Sequence, residues 1–258
     1  MSYNEILKGF SFDKEVERLE KQALLGVNKE LKTLKSLGIQ ENSLILEVGS
    51  GPGIYTKILL DKFKNSEIVC LDNNTEMLKH SYEILHEDYK DRVSFINDDI
   101  MRSSLPSNYF DVVIARFVFQ HLSYPERALK EIYRVLKPGG KVIIIDVDSG
   151  LWGLTYPNNQ LINNLNNQLS AFQSNKNGNR EIGRVILTML KLLKFKNLDI
   201  DALINHSEIL GKDNFRHNFD IEKVKDKSLY GMMKSYNDFF DLKNSSIMIL
   251  KLVFYGEK

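Results

Sequence analysis

Glycines at alternate positions, Gly49, Gly51 and Gly53, follow directly on the run Leu44-Ile45-Leu46-Glu47-Val48, and a helical pattern opens at Ile54. A strand that ends in a tight glycine turn and starts a helix binds nucleotide-like ligands at the carboxyl end of a parallel sheet. Glycine suits the turn because it tolerates positive φ and lets a ligand approach the backbone. The spacing excludes a dinucleotide fingerprint: counted from Gly49, the last glycine of G-x-G-x-x-G falls on Ile54. Asp72 ends the next apolar run, 23 residues after Gly49. A carboxylate there can accept from both hydroxyls of a ribose; the plainer alternative is a turn aspartate that caps the following helix. Asp98 and Asp99 close a third run. Adjacent side chains on an extended end point opposite ways, so one of the two faces a ligand. We take Asp99, accepting from an adenine amine while the Ile100 amide donates to the ring.

A second group of residues could act on a substrate. Arg116 ends a fourth apolar run and could meet a ligand carboxylate by a charge-assisted bond, or simply snorkel at the sheet edge. Gln120 and His121 follow, where a nucleophile would approach; a histidine near its ordinary pKa accepts a proton from a hydroxyl or amine. A packing histidine is the competing reading. Trp152 and Tyr156 offer an aromatic wall for an apolar or cationic molecule, and Arg180 could read an acidic group on it.

These residues need a scaffold that brings strand ends together. Strands are predicted over residues 44–48, 67–71, 93–96, 110–115 and 141–147, with helices over 54–64, 75–89 and 125–136 between them. Asn74 or Thr75 caps the second of these helices, and Pro125 opens the third. Lys137-Pro138-Gly139-Gly140 closes that third helix. Such alternation demands a parallel sheet with right-handed crossovers and helices on both faces. Ahead of it, Val16, Leu19, Ala23, Leu24, Val27, Leu31, Leu34 and Leu37 recur at helical spacing, and Gly38 is a natural stop. Beyond Asp148 we expect helices over 158–179, 182–193 and 221–240, and strands over 197–204 and 247–255.

Taken jointly, these elements resemble the core of class I S-adenosylmethionine (SAM) dependent methyltransferases, in the branch rich in small-molecule enzymes. The resemblance rests on Glu47-Val48-Gly49-Ser50-Gly51-Pro52-Gly53, Leu71-Asp72-Asn73-Asn74-Thr75-Glu76-Met77-Leu78, Asn97-Asp98-Asp99-Ile100, Phe110-Asp111-Val112-Val113 and Arg134-Val135-Leu136-Lys137-Pro138-Gly139-Gly140. It implies a Rossmann-like, doubly wound α/β sheet of seven strands in the order 3-2-1-4-5-7-6, strand seven antiparallel, with a helical cap after strand five. It further implies a SAM site made of Glu47, Gly49, Ser50, Gly51, Gly53, Asp72, Asn73, Met77, Asp99, Ile100 and Arg116, with Met77 and Ile100 flanking adenine. Glu47 would support the glycine loop and the ligand's amino end. Ser50 stands where many members have cysteine. The N-terminal stretch with Arg18 and Gln22 resembles a helix that covers the cofactor in some members, which makes both candidates for its carboxylate.

Composition narrows the partners. With 35 basic and 34 acidic residues and a net charge of +1, the chain lacks the basic footprint of a nucleic-acid binder. One cysteine and five histidines show no metal-ligand spacing, so no metal is expected. The first residues carry charges throughout and no apolar core, unlike a secretory signal, and no apolar run reaches membrane-spanning length. A cytoplasmic monomer or homodimer acting on a small-molecule acceptor is the expectation. It divides into an N-terminal helical region (1–40), a SAM core (41–149), a cap (150–195) and a C-terminal part of the sheet (196–258). An enzyme acting on RNA or protein, and a SAM-binding regulator without catalysis, are the alternatives.

Overall fold

The computed structural model describes residues 11–151, 153–216 and 227–258. Trp152 therefore lies outside the described residues, as does the start of the helix expected from residue 221.

Two helices, α1 (Phe12–Leu24) and α2 (Val27–Ser36), precede the sheet. The spacing of apolar residues predicts one continuous helix here. It breaks because Gly26 takes a left-handed φ of +68°, and a Cβ there would lie 1.9 Å from Oδ1 of Asn205. The core follows as β1 (Leu44–Val48), α3 (Ile54–Lys62), β2 (Glu67–Asp72), α4 (Thr75–Tyr89), β3 (Val93–Asn97), β4 (Phe110–Arg116), α5 (Pro125–Val135) and β5 (Leu136–Asp146). Asn74 caps α4, accepting from the amides of Glu76 and Met77 at 2.9 and 3.2 Å.

β5 begins earlier than expected. Leu136 already pairs with Phe110, and register resumes at Val112–Lys141, so Lys137–Gly140 forms a bulge inside the strand rather than a helix-closing turn. Asp111 pins the bulge, accepting from Lys137 Nζ at 2.7 Å and from the Leu44 amide at 2.9 Å. A Cβ at Gly140 would lie 2.8 Å from the Lys137 carbonyl, so the bulge has no room for a larger residue there.

After β5 come β6 (Leu154–Tyr156), α6 (Gln160–Ser174), α7 (Ile186–Leu192), β7 (Lys196–His206), α8 (Ser207–Leu210), α9 (Lys227–Asp241) and β8 (Ser246–Glu257). The parallel strands run in the order β3-β2-β1-β4-β5. β8 lies antiparallel beside β5, and β7 pairs antiparallel on the other side of β8. This is the expected order with one addition: the short strand β6 pairs with the start of β8.

Apolar side chains of alternate register fill both faces of the sheet. Leu46, Val48, Val113, Ile144 and Phe254 pack with α5 and α7 on one face. Ile45, Ile114, Ile143, Ile145 and Val253 pack with α2, α3 and α4 on the other. A third cluster, including Ile162, Phe215, Tyr236, Phe239 and Ile247, joins α6 and α9 to the start of β8. No described helix is long and apolar enough to cross a membrane.

Candidate cofactor and acceptor site

The sheet reverses its winding at β1, whose neighbours are β2 on one side and β4 on the other. A ligand crevice opens outside the carboxyl ends at such a point, and the glycine loop occupies it. The Gly49 amide donates to the Leu71 carbonyl at 2.7 Å, which ties the loop to the end of β2. Gly49 has φ +66°, and a Cβ on it would lie 2.5 Å from Cγ2 of Val118, so the segment after β4 packs against bare backbone. Gly51 differs: φ is +55° and nothing lies within 4 Å of where its Cβ would be. The open space of the loop is above Gly51.

Beneath the loop, Glu47 is buried and accepts from Thr56 Oγ1 at 2.6 Å, joining β1 to the first turn of α3. Burial pushes its carboxyl up to about 7, against the Thr56 bond and Arg116. Ser50 turns inward toward Cys70. The Cys70 thiol is itself buried and pushed up to about 12, so it is no nucleophile at neutral pH.

Asp72 makes the turn that its position suggested and also reaches the glycine loop. One oxygen accepts from the Gly51 amide at 2.8 Å and the other from the Asn74 amide at 2.9 Å. It thus braces the glycine loop and starts the turn into α4. The Asn73 amide bonds the carboxylate as well; a carboxylate has about four acceptor sites, so capacity for a further donor remains. Burial raises its pKa. Asn73 beside it is exposed, while Met77, in the first turn of α4, is buried.

At the end of β3, Asp98 is occupied by its own loop: it accepts from the amide and hydroxyl of Ser104, both at 2.8 Å, and from the Asp99 amide at 2.7 Å. Asp99 makes one short bond, from the Met101 amide at 2.9 Å, capping the turn Ile100–Arg102. Ile100 is buried in the core. Asp99 is the acid with more acceptor capacity left over.

Arg116 does not reach out of the protein. Its guanidinium pairs with Glu30 on α2 at 2.8 Å and donates to the carbonyls of Gln22 and Ala23 at 2.9 and 3.4 Å. Tyr55 and Phe117 stack on it, 4.5 and 4.6 Å from its carbon. Lys251 bonds the same Glu30 and the Leu25 carbonyl. The arginine read as a ligand partner instead fixes the end of α1, because a buried carboxylate and a row of uncapped helix carbonyls compete for it. Arg116 and Lys251 hold the Glu30 carboxyl down to about 2 despite burial. Glu30 and Lys251 escaped the sequence reading, although each is a charge set inside an apolar periodicity, and such a charge needs a partner.

Past β4, the Gln120 amide donates to Asp146 at 3.3 Å, and its carbonyl accepts from Gln173 Nε2 at 2.6 Å and the Asn179 amide at 2.8 Å. Gln120 is buried, while His121 keeps partial exposure and has Nδ1 3.3 Å from Gln173 Nε2. Burial, Arg18 and Arg180 push the His121 imidazole down to about 3. It is neutral at physiological pH and a poor proton acceptor, contrary to a base poised near neutrality. Asp146, buried at the end of β5, is pushed up to about 7 by burial. Its carboxyl also accepts from the Val147 amide at 2.9 Å.

Tyr156 belongs elsewhere. On β8, Asp146 pairs with Leu252 and Tyr156 with Ser246. Those six positions, at about 3.4 Å each, span roughly 20 Å, and Tyr156 is 70% exposed. An insertion that leaves the site directly after β5 carries the aromatic residue away with it. Among the described residues, no group of three or more His, Cys, Asp or Glu is placed to hold a metal.

Comparison with known proteins agrees with this geometry. Residues 46–144 match the methyltransferase domain model. Phosphoethanolamine N-methyltransferase 2 of Caenorhabditis elegans is 32% identical over 120 residues, 46% of this chain and 27% of the relative. The ubiquinone/menaquinone biosynthesis C-methyltransferase UbiE of Ectopseudomonas mendocina is 30% identical over 120 residues, 44% of this chain and 45% of the relative. The aligned part thus spans less than half of either relative. Haemonchus contortus phosphoethanolamine N-methyltransferase 2, solved with phosphomonomethylethanolamine and S-adenosylhomocysteine, superposes with a TM-score of 0.61 at 20% identity, over 90% of this chain and 52% of that one. The YcgJ protein of Bacillus subtilis superposes at 0.60 with 16% identity, over 90% and 98%. Glycine loop, strand-end acids, sheet order and family match converge: the chain carries, over residues 46–144, a methyltransferase domain of the class I SAM-dependent family.

Proposed function

We propose that the chain transfers a methyl group from SAM to an oxygen or nitrogen nucleophile of a small molecule. The observation that carries this reading is the open face of Gly51 beside the remaining acceptor capacity of Asp72, at the point where the sheet reverses. The residues present suit the cofactor. Asp72 would hold the ribose, Asp99 and the Ile100 amide the adenine edge, and Met77 and Ile100 its faces. The backbone of residues 49–53 would lie along the methionine portion, supported from below by Glu47. When bound, SAM supplies a methyl group already activated by its sulfonium.

The protein's own task is then to hold the acceptor in line and to exclude water, which is worth about 7–11 kcal/mol in well-oriented models. α1, fixed at its end by Arg116 and Lys251, and the segment after β5 would cover the crevice as a lid and cap. His121, neutral, suits a hydrogen-bonding role toward the acceptor better than that of a proton acceptor. The two curated relatives methylate different kinds of atom by name, nitrogen and carbon.

The test is calorimetric titration with S-adenosylhomocysteine, followed by turnover of labelled SAM against a metabolite panel. Absence of S-adenosylhomocysteine binding refutes the reading. Binding without turnover of any acceptor would leave a SAM-binding regulator.

A further inference from the structure

Beyond the ends of β4 and β5 stands an arginine for which the described residues supply no partner. Arg180 follows α6 in a turn sewn to the strand ends: its carbonyl accepts from the Ser149 amide, and the preceding Asn179 amide donates to the Gln120 carbonyl, both at 2.8 Å. A Cβ on Gly178 would lie 2.7 Å from that same carbonyl, so the turn approaches the Gln120-His121 backbone as closely as a glycine permits. The side chain of Arg180 is left over. Among the described residues its Nε is buried with no hydrogen-bond partner, and no carboxylate lies within ion-pairing distance. The acid whose charge acts on it, Asp146, accepts from the amides of Val147 and Gln120 instead.

A second guanidinium comes from α1. Arg18, paired with Glu15 at 2.7 Å, repels Arg180 and, with it, disfavours a proton on His121. The turn after α6 thus sets the Arg180 guanidinium next to the segment after β4, and the charge of Arg18 on α1 acts on both. A buried charged donor without an acceptor costs far more than a paired one. That cost is removed when a ligand brings negative oxygens.

We propose that Arg180, with Arg18 and His121 beside it, forms a subsite for an anionic oxygen group, a carboxylate or a phosphate, carried by the methyl acceptor. That the anion belongs to an acceptor rests on the methyltransferase reading; the anion site itself does not.

The test titrates inorganic phosphate and acetate separately into wild-type protein and Arg180→Gln, each with and without saturating S-adenosylhomocysteine, and titrates S-adenosylhomocysteine itself. Saturable binding of at least one anion to the wild type is expected, weakened about tenfold or more in Arg180→Gln, with S-adenosylhomocysteine affinity changed less than about twofold. Tighter phosphate than acetate assigns a phosphorylated acceptor, and the reverse a carboxylic acid. A second readout needs no variant: an anion at Arg180 screens the charge beside His121, so its imidazole pKa rises in an NMR titration. The proposal is overturned if neither anion binds saturably, if Arg180→Gln leaves anion affinity unchanged, or if His121 does not respond. It is equally overturned if S-adenosylhomocysteine affinity falls in parallel, because the arginine then holds the cofactor's carboxylate. Failure of S-adenosylhomocysteine to bind while phosphate still binds at Arg180 would refute the methyltransferase reading alone.

Discussion

Asp72→Asn separates the brace that this carboxylate gives the glycine loop from the ribose contact proposed for it. In the protein the carboxylate already takes backbone amides, from Gly51 at 2.8 Å and from Asn74 at 2.9 Å, and the Asn73 amide as well; the acceptor capacity left over is what we propose for the ribose hydroxyls. The substitution turns one oxygen into a donor, which loses one hydroxyl and faces a backbone N–H, and it removes the charge that strengthens the other bond. Hydrogen bonds to charged groups contribute about 1.5–3 kcal/mol each. Losing one and weakening the second should cost about 3 kcal/mol, on the order of a hundredfold in affinity. Calorimetry with adenosine and with 2′,3′-dideoxyadenosine isolates the part that belongs to the hydroxyls, since the loop damage is common to both. We expect a large loss for adenosine and a small one for the dideoxy ligand. Equal losses would show that Asp72 only braces the glycine loop, and the ribose assignment would be wrong.

Further outcomes follow from the same geometry. Gly49→Ala sets a Cβ 2.5 Å from Val118 at φ +66°; it should destabilise the fold by about 1–3 kcal/mol and be partly rescued by Val118→Ala, which thermal melts of single and double variants will show. Glu30→Ala leaves Arg116 and Lys251 buried without their shared carboxylate, at a cost of about 3–5 kcal/mol; a melting temperature within a degree of wild type would contradict the network. Because the Glu30 carboxyl is held down to about 2, the folded state keeps it ionised where the unfolded chain takes up a proton. Its contribution is therefore complete above about pH 4.5 and lost as pH falls toward 2, and Glu30→Gln should flatten that part of the acid-denaturation curve. His121, pushed down to about 3, should show a neutral ring in ¹⁵N NMR at pH 6; a protonated ring at that pH would contradict the burial and charge placed around it.

The glycine loop, the strand-end acids and the parallel core were legible in the chain alone. Their signals are local: Gly49, Gly51 and Gly53 need positive φ, Asn74 caps the helix that its own position starts, and the apolar runs set strands whose ends must align. Order along the chain was enough to put Asp72 and Asp99 at one edge, because right-handed crossovers leave few alternatives. Tertiary structure decided where side chains from distant segments meet. Arg116 is claimed by Glu30, 86 positions away in sequence, and such competition among buried charges leaves no mark on either segment alone. The same holds for the helix break at Gly26 against Asn205, for Tyr156 carried away on β6, and for Arg180 brought toward the His121 segment by the bond of the Asn179 amide to the Gln120 carbonyl. A strand end is dictated by periodicity and turn chemistry. A partner is dictated by which buried groups can be satisfied together, and only the folded chain settles that.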